Sequence, residues 1–408
     1  MVNSSNLVSN EPAVEASRLL ARLGYVVLAL GAPAAEALSP QAIFLFFPIG
    51  AALLLVSSAL DPAPGFVANL KWAAFTPLTW VVLGLIGWAA VSLAWTPFPD
   101  DGVLHWLKLA ATILVTLLAI ASSREHMRAA DLYMFPIGVL IAMIAMLVAA
   151  AARREHLAFA FPDFDHSGVA LVILLFPAMG CLAVRGRNGL ARLLMILALA
   201  FTFAIGVPAT AAALLVGVTA LSFAISDAER TVVDLGIAAA ALIVLAPIIP
   251  ALAPTLAHWF SGADLANLPE PFHSLGVAAD IVLRDPARLL TGRGFDAAIK
   301  GMEAGLIPER IPRVALFEIW YELGIVGALL GAAAAWLGFR ALGRSGERAA
   351  PYLIAALAAD IALGFLANDF SQMWWVILLG VSAISAGAAV RSQYRTRRPM
   401  AFSASPLF

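Results

Sequence analysis

The chain has 408 residues, of which 62% are hydrophobic and only 12% charged, with a mean hydropathy of +0.92. That charged share is about half of the ~25% usual for a soluble domain, too little to solvate a soluble surface of this size. A single cysteine, Cys181, excludes a disulfide framework and a cysteine metal site, and 25 basic against 26 acidic residues leave no global field to recruit nucleic acid.

The composition predicts an all-α polytopic membrane protein. Its polar N-terminus lacks a basic stretch followed by an apolar one, so the first apolar segment is expected to be retained as a span. A helical span needs ~20 mostly apolar residues. Twelve segments qualify: 19–38, 41–60, 73–95, 103–122, 132–152, 166–184, 189–206, 208–226, 232–252, 316–339, 351–368 and 371–390. The stretch Leu193 to Ser226 has 34 residues and no charge. As one helix it would reach about 50 Å, beyond the ~30 Å hydrocarbon core. Gly206-Val207-Pro208 offers the turn, since glycine tolerates unusual dihedrals and proline removes a donor.

With the N-terminus inside, the cytoplasmic connections collect Arg124, Arg128, Arg185, Arg187, Arg192, Arg340, Arg344 and Arg348, while the short external ones carry only Arg153 and Arg154. This follows the positive-inside rule and places both termini in the cytoplasm. The chain then divides into a membrane domain over 1–252, an external loop over 253–315, a second membrane part over 316–390, and a basic cytoplasmic tail over 391–408. Two helix-like stretches, Leu275 to Leu283 and Phe295 to Glu303, predict that the loop is a partly helical cap.

Nucleotide-binding loops, HExxH and Cys/His clusters are absent from the sequence, so neither a metal nor an organic cofactor is expected. The informative stretch is 272–330. Leu290-Thr291-Gly292-Arg293-Gly294-Phe295 is a glycine-bracketed turn entering a helix. With Arg284 and Arg288 nearby, it suits either a pyrophosphate or simple contact with lipid phosphates. Glu318 and Glu322 share a helix face, as acid–base groups or as solvated or arginine-paired carboxylates. Their neighbours Trp320 and Tyr321 read as interfacial anchors. Asp163, Asp165 and His166 gather at the external start of the sixth span, His273 opens the loop, and Asn368-Asp369 closes the eleventh span. Asp360 lies mid-span among alanines and leucines.

The segment Trp320-Tyr321-Glu322-Leu323-Gly324, after a large external loop with a G-x-G step, resembles the O-antigen ligase and polymerase superfamily of membrane glycosyltransferases. Ala90-Val91-Ser92-Leu93-Ala94-Trp95-Thr96-Pro97 is similar to that family's motif at the end of its third span. The family's Pro-His-Asn step falls on Pro312-Arg313-Val314, and its Ser-Arg step on Pro208-Ala209-Thr210, so a histidine and an arginine of the pattern are replaced.

The resemblance implies a bacterial inner-membrane transferase moving a glycan from undecaprenyl diphosphate to a sugar hydroxyl of lipid A-core or of a growing polysaccharide. Partners would be the lipid-linked donor, the glycolipid or polysaccharide acceptor, and membrane lipid. Arg284, Arg288, Arg293 and Arg313 are then the expected diphosphate ligands, and Glu322, His166 or Asp165 the expected base. A repeat-unit polymerase, a flippase or transporter, and a non-catalytic assembly protein are the alternatives.

Overall fold

A computed structural model describes residues 11–37, 39–60, 75–122, 131–154, 164–248, 270–308, 311–368 and 370–393. All regular structure among these residues is helical. In chain order the helices are α1 (Glu11–Val26), α2 (Ala32–Glu36), α3 (Ile43–Leu60), α4 (Pro77–Ser92), α5 (Pro99–Ser122), α6 (Met134–Arg154), α7 (Phe164–Val184) and α8 (Asn188–Ile205). There follow α9 (Pro208–Ser226), α10 (Ala228–Leu245), α11 (Glu270–Leu283), α12 (Pro286–Thr291), α13 (Ala297–Glu303), α14 (Ala315–Gly343), α15 (Ala350–Leu366) and α16 (Met373–Gln393). A π-helical turn, Val27–Gly31, joins α1 to α2 into one rod.

Each of the twelve expected segments falls on a helix. Nine helices among the described residues are long and apolar enough to cross a membrane; α4 and α15 are shorter apolar helices. The protein is thus an all-α, polytopic membrane protein. Large apolar side chains such as Phe203, Ile225 and Ile196 stand exposed on its outer helices, as expected where lipid replaces water.

The charge-free stretch divides where glycine and proline allow. Gly206 ends α8 in the left-handed region (φ 74°) and Pro208 opens α9. A side chain at Gly206 would meet nothing within 4 Å. Gly206→Ala is therefore expected to cost only the conformational term, about 1 kcal/mol, read as a small drop in the thermal midpoint of the purified protein.

The centre of the bundle is α7, buried at every residue from Ser167 to Val184. A helix apolar on all sides belongs in a core. Phe176 occupies the space left by the missing side chain of Gly217 on α9. The start of α7 lies beside the start of α16, where the His166 and Trp374 rings are 4.9 Å apart. The start of α16 in turn meets α14 through Phe370 and Glu318. At the opposite end Val184, Leu342, Ala349 and Val390 pack together. The bundle therefore has two distinct ends, and α11, α12 and α13 pack against α14 at the first.

Candidate functional site

The site begins with a break in a helix. Gly324 interrupts α14 with φ 63° and ψ −158°, a conformation open essentially to glycine alone. The carbonyls just before it accept hydrogen bonds from outside the helix. Tyr321 O receives Arg293 N–H at 2.9 Å and Glu322 O receives Gly294 N–H at 3.0 Å. Leu323 O receives the Trp88 indole at 2.9 Å. Buried backbone acceptors must find donors, and the 292–294 loop supplies them.

The same loop is clasped from α4. Ser92 Oγ accepts from Phe295 N–H at 3.0 Å, and Thr96 Oγ1 donates to Phe295 O at 2.9 Å. The three segments that carry the sequence resemblance, 90–97, 290–295 and 317–327, therefore meet at one junction.

Both glutamates of α14 are buried and anchor other segments. Glu322 accepts from Ala298 N–H at 2.9 Å, satisfying a backbone donor at the start of α13. Glu318 accepts from Phe370 N–H at 2.5 Å. The reading of solvated carboxylates is corrected here: both are buried and line an apolar cavity of about 100 Å³ between α4, α5 and α14. Trp320 and Tyr321 are not interfacial anchors either. Trp320 is buried and donates to Ile243 O at 2.7 Å, satisfying a carbonyl near the end of α10. Tyr321 is buried beneath Arg293, whose guanidinium lies 5.0 Å from the ring centre and bonds the hydroxyl at 3.3 Å.

Beside the junction lies an open cavity of about 390 Å³, lined by Asp101, His105, Lys108, Asp296, Lys300, Glu303, Arg313 and Ser371 among others. His105 Nδ1 is 2.9 Å from Asp296 Oδ1 and its Nε2 is 3.1 Å from Phe370 O. Asp296 is buried and holds φ at 66°, the left-handed region that aspartate tolerates better than most residues. Lys300 pairs with Glu303 at 2.9 Å and Asp101 at 3.5 Å. Its bond to Glu303 leads the contributions that raise its pKa above the usual 10.5. Lys108 and Arg313 take part in no ion pair among the described residues. They are the cations left open to a ligand.

The expected diphosphate ligands are dispersed. Arg313 lines this cavity, and Arg293 sits on Tyr321 at the junction. Arg284 is ion-paired with Asp280 on an exposed face, and Arg288 is exposed; neither lines the cavity. Of the expected bases, Glu322 is bound to the loop as described. His166 is half-buried against Trp374, with Nδ1 unpartnered among the described residues, and it too lies outside the cavity lining. The side chain of Asp165, like Asp163, Asp369 and the side chain of His273, lies outside the described residues.

Sequence reasoning missed His105, Lys108 and Lys300. A signal was present, because Asp101, His105 and Lys108 follow an i, i+4, i+7 spacing on one face at the start of α5. Among the described residues no cluster of His, Cys, Asp and Glu could hold a metal ion. Comparison with protein-family models and with curated protein sequences finds no match to this chain.

Proposed function

We propose that the protein is a membrane glycosyltransferase of the O-antigen ligase type, a divergent relative of that superfamily. It would transfer a glycan from an undecaprenyl-diphosphate carrier to a sugar hydroxyl at the outer face of a bacterial inner membrane. The observation that carries this reading is the junction: segments up to 235 residues apart in sequence converge through Ser92, Thr96, Trp88 and the Gly324 break. The cavity that holds Lys108, Lys300 and Arg313 against Asp101, Asp296 and Glu303 opens beside it.

In this reading Lys108 and Arg313 hold the donor diphosphate, with Lys300 beside them. The C1–O bond to the phosphate breaks as the C1–O bond to the acceptor forms. The lipid diphosphate leaves, and the acceptor hydroxyl yields its proton. His105, with its ring nitrogens held at Asp296 Oδ1 and Phe370 O, acts as a positioning residue of the cavity wall, and the acceptor proton passes to the departing diphosphate. Glu322 and Glu318 act as positioning residues that fix α13 and the 370 turn. Developing charge on the phosphate is the larger demand, and fixed cations meet it best.

A flippase or transporter reading rests on Asp360 of α15, whose Oδ1 is buried without a partner among the described residues. Glycan-lipid analysis of a deletion strain separates the two. A missing transferase leaves lipid-linked glycan accumulating at the outer face, as long chains for a ligase and single repeat units for a polymerase. Accumulation confined to the cytoplasmic face would overturn the transferase reading.

A further inference from the structure

At the end of the bundle opposite the junction, α7, α8, α9 and α15 enclose a second cavity, of about 830 Å³. We propose that it is a binding site for one anionic phospholipid, with the phosphodiester on Arg192 and Arg348 and an acyl chain along α8 and α9.

The lining has two chemistries. One wall is apolar, formed by Met179, Met195, Ile196, Val218, Leu221 and Ile225. Ile196 and Ile225 are 62% and 64% exposed, so this wall continues onto the outer surface of the helices and opens sideways. The other wall carries Arg192 and Arg348, with Asn188 and Tyr352 as hydrogen-bonding neighbours. It also takes in the first turn of α15, which bears the positive end of that helix dipole.

Both arginines are exposed, and neither forms an ion pair among the described residues. Glu347 is the only acidic residue in the lining. The lining charges therefore favour a ligand with one net negative charge over a zwitterion. A free phosphate would satisfy the arginines and leave the apolar wall unused, whereas a diacyl phospholipid uses both. The volume is that of a headgroup with the first part of its chains, not of a small anion.

The test is native mass spectrometry and thermal unfolding of the full-length protein, delipidated and titrated with phosphatidylglycerol or with phosphatidylcholine of the same chains. The expected result is one retained phosphatidylglycerol, a raised thermal midpoint with that lipid, and no comparable effect of phosphatidylcholine or inorganic phosphate. Arg192→Ala with Arg348→Ala is expected to weaken retention about 30-fold, as two arginines facing an anionic headgroup require. Ser222→Trp keeps both arginines and fills the apolar side from an exposed position; it should abolish retention as well. Equal retention of the two lipids overturns the proposal, as does an unchanged affinity in either variant. A response to inorganic phosphate that matches the lipid identifies a small-anion site instead, and also overturns it.

Discussion

Gly292→Ala is expected to free the 292–294 loop from α14 and abolish the proposed glycan transfer, while the protein still inserts and keeps its helix content. Gly292 holds φ 74° and ψ −178°, a region that costs other residues about 1–3 kcal/mol. A Cβ there would lie 2.0 Å from Glu322 O and 2.5 Å from Leu323 N. Both are backbone atoms of the helix break and cannot rotate away, so the clash adds to the conformational cost. The readouts are circular dichroism for helix content and limited trypsin digestion, with cleavage at Arg284, Arg288 and Arg293 becoming fast. Gly305→Ala is the control, because Gly305 also has a positive φ but nothing within 4 Å of its Cβ. Wild-type protease resistance in Gly292→Ala would show that docking on the break is not what holds this site together.

If the proposed transfer is the activity, Arg313→Ala and Lys108→Ala should each lower its rate about 100-fold, with insertion and thermal stability close to wild type. Removing one fixed charge from a transition state that develops phosphate charge costs about 10²–10³ in rate. Both side chains are exposed and without an ion pair among the described residues, so little stability depends on them. Lys300→Ala should lose less activity, since Glu303 and Asp101 already balance that ammonium. Because these partners raise its pKa, Lys300 stays charged below 10.5, and its ion pairs are lost only as pH rises past that raised value. No change in rate between neutral and mildly alkaline pH is therefore expected from Lys300. Arg284→Ala, which breaks only an exposed pair with Asp280, should stay within about twofold of wild type. The measurement is the initial rate of transfer from a lipid-linked oligosaccharide in nanodiscs, repeated at rising salt. Wild-type rates in both Arg313→Ala and Lys108→Ala would remove the cavity from the mechanism.

Local features were legible along the chain. The turn at Gly206-Val207-Pro208 was readable because glycine and proline act on their own backbone, whatever surrounds them. The helix expected over 295–303 starts two residues later, at Ala297. Gly294 and Asp296 both take positive φ to carry the chain from the α14 break into α13, a demand set by the docking partner. The shared face of Glu318 and Glu322 followed from helical spacing. That they are buried acceptors for Phe370 and Ala298 did not, since those donors lie 52 and 24 residues away. Trp320 and Tyr321 look like interfacial anchors by residue type, but α10 and the 293 loop cover them.

Hydropathy and the placement of glycine and proline determined that this is a helical membrane protein, where its helices fall and where the chain turns. Each of those signals acts over one or two helical turns and is independent of the remaining helices. Which polar groups meet was decided only by the tertiary structure: His105 with Asp296, Ser92 and Thr96 with Phe295, and Arg293 with Tyr321. The physical reason is the break at Gly324. It turns carbonyls out of a helix, and only a segment brought there by packing can supply their donors.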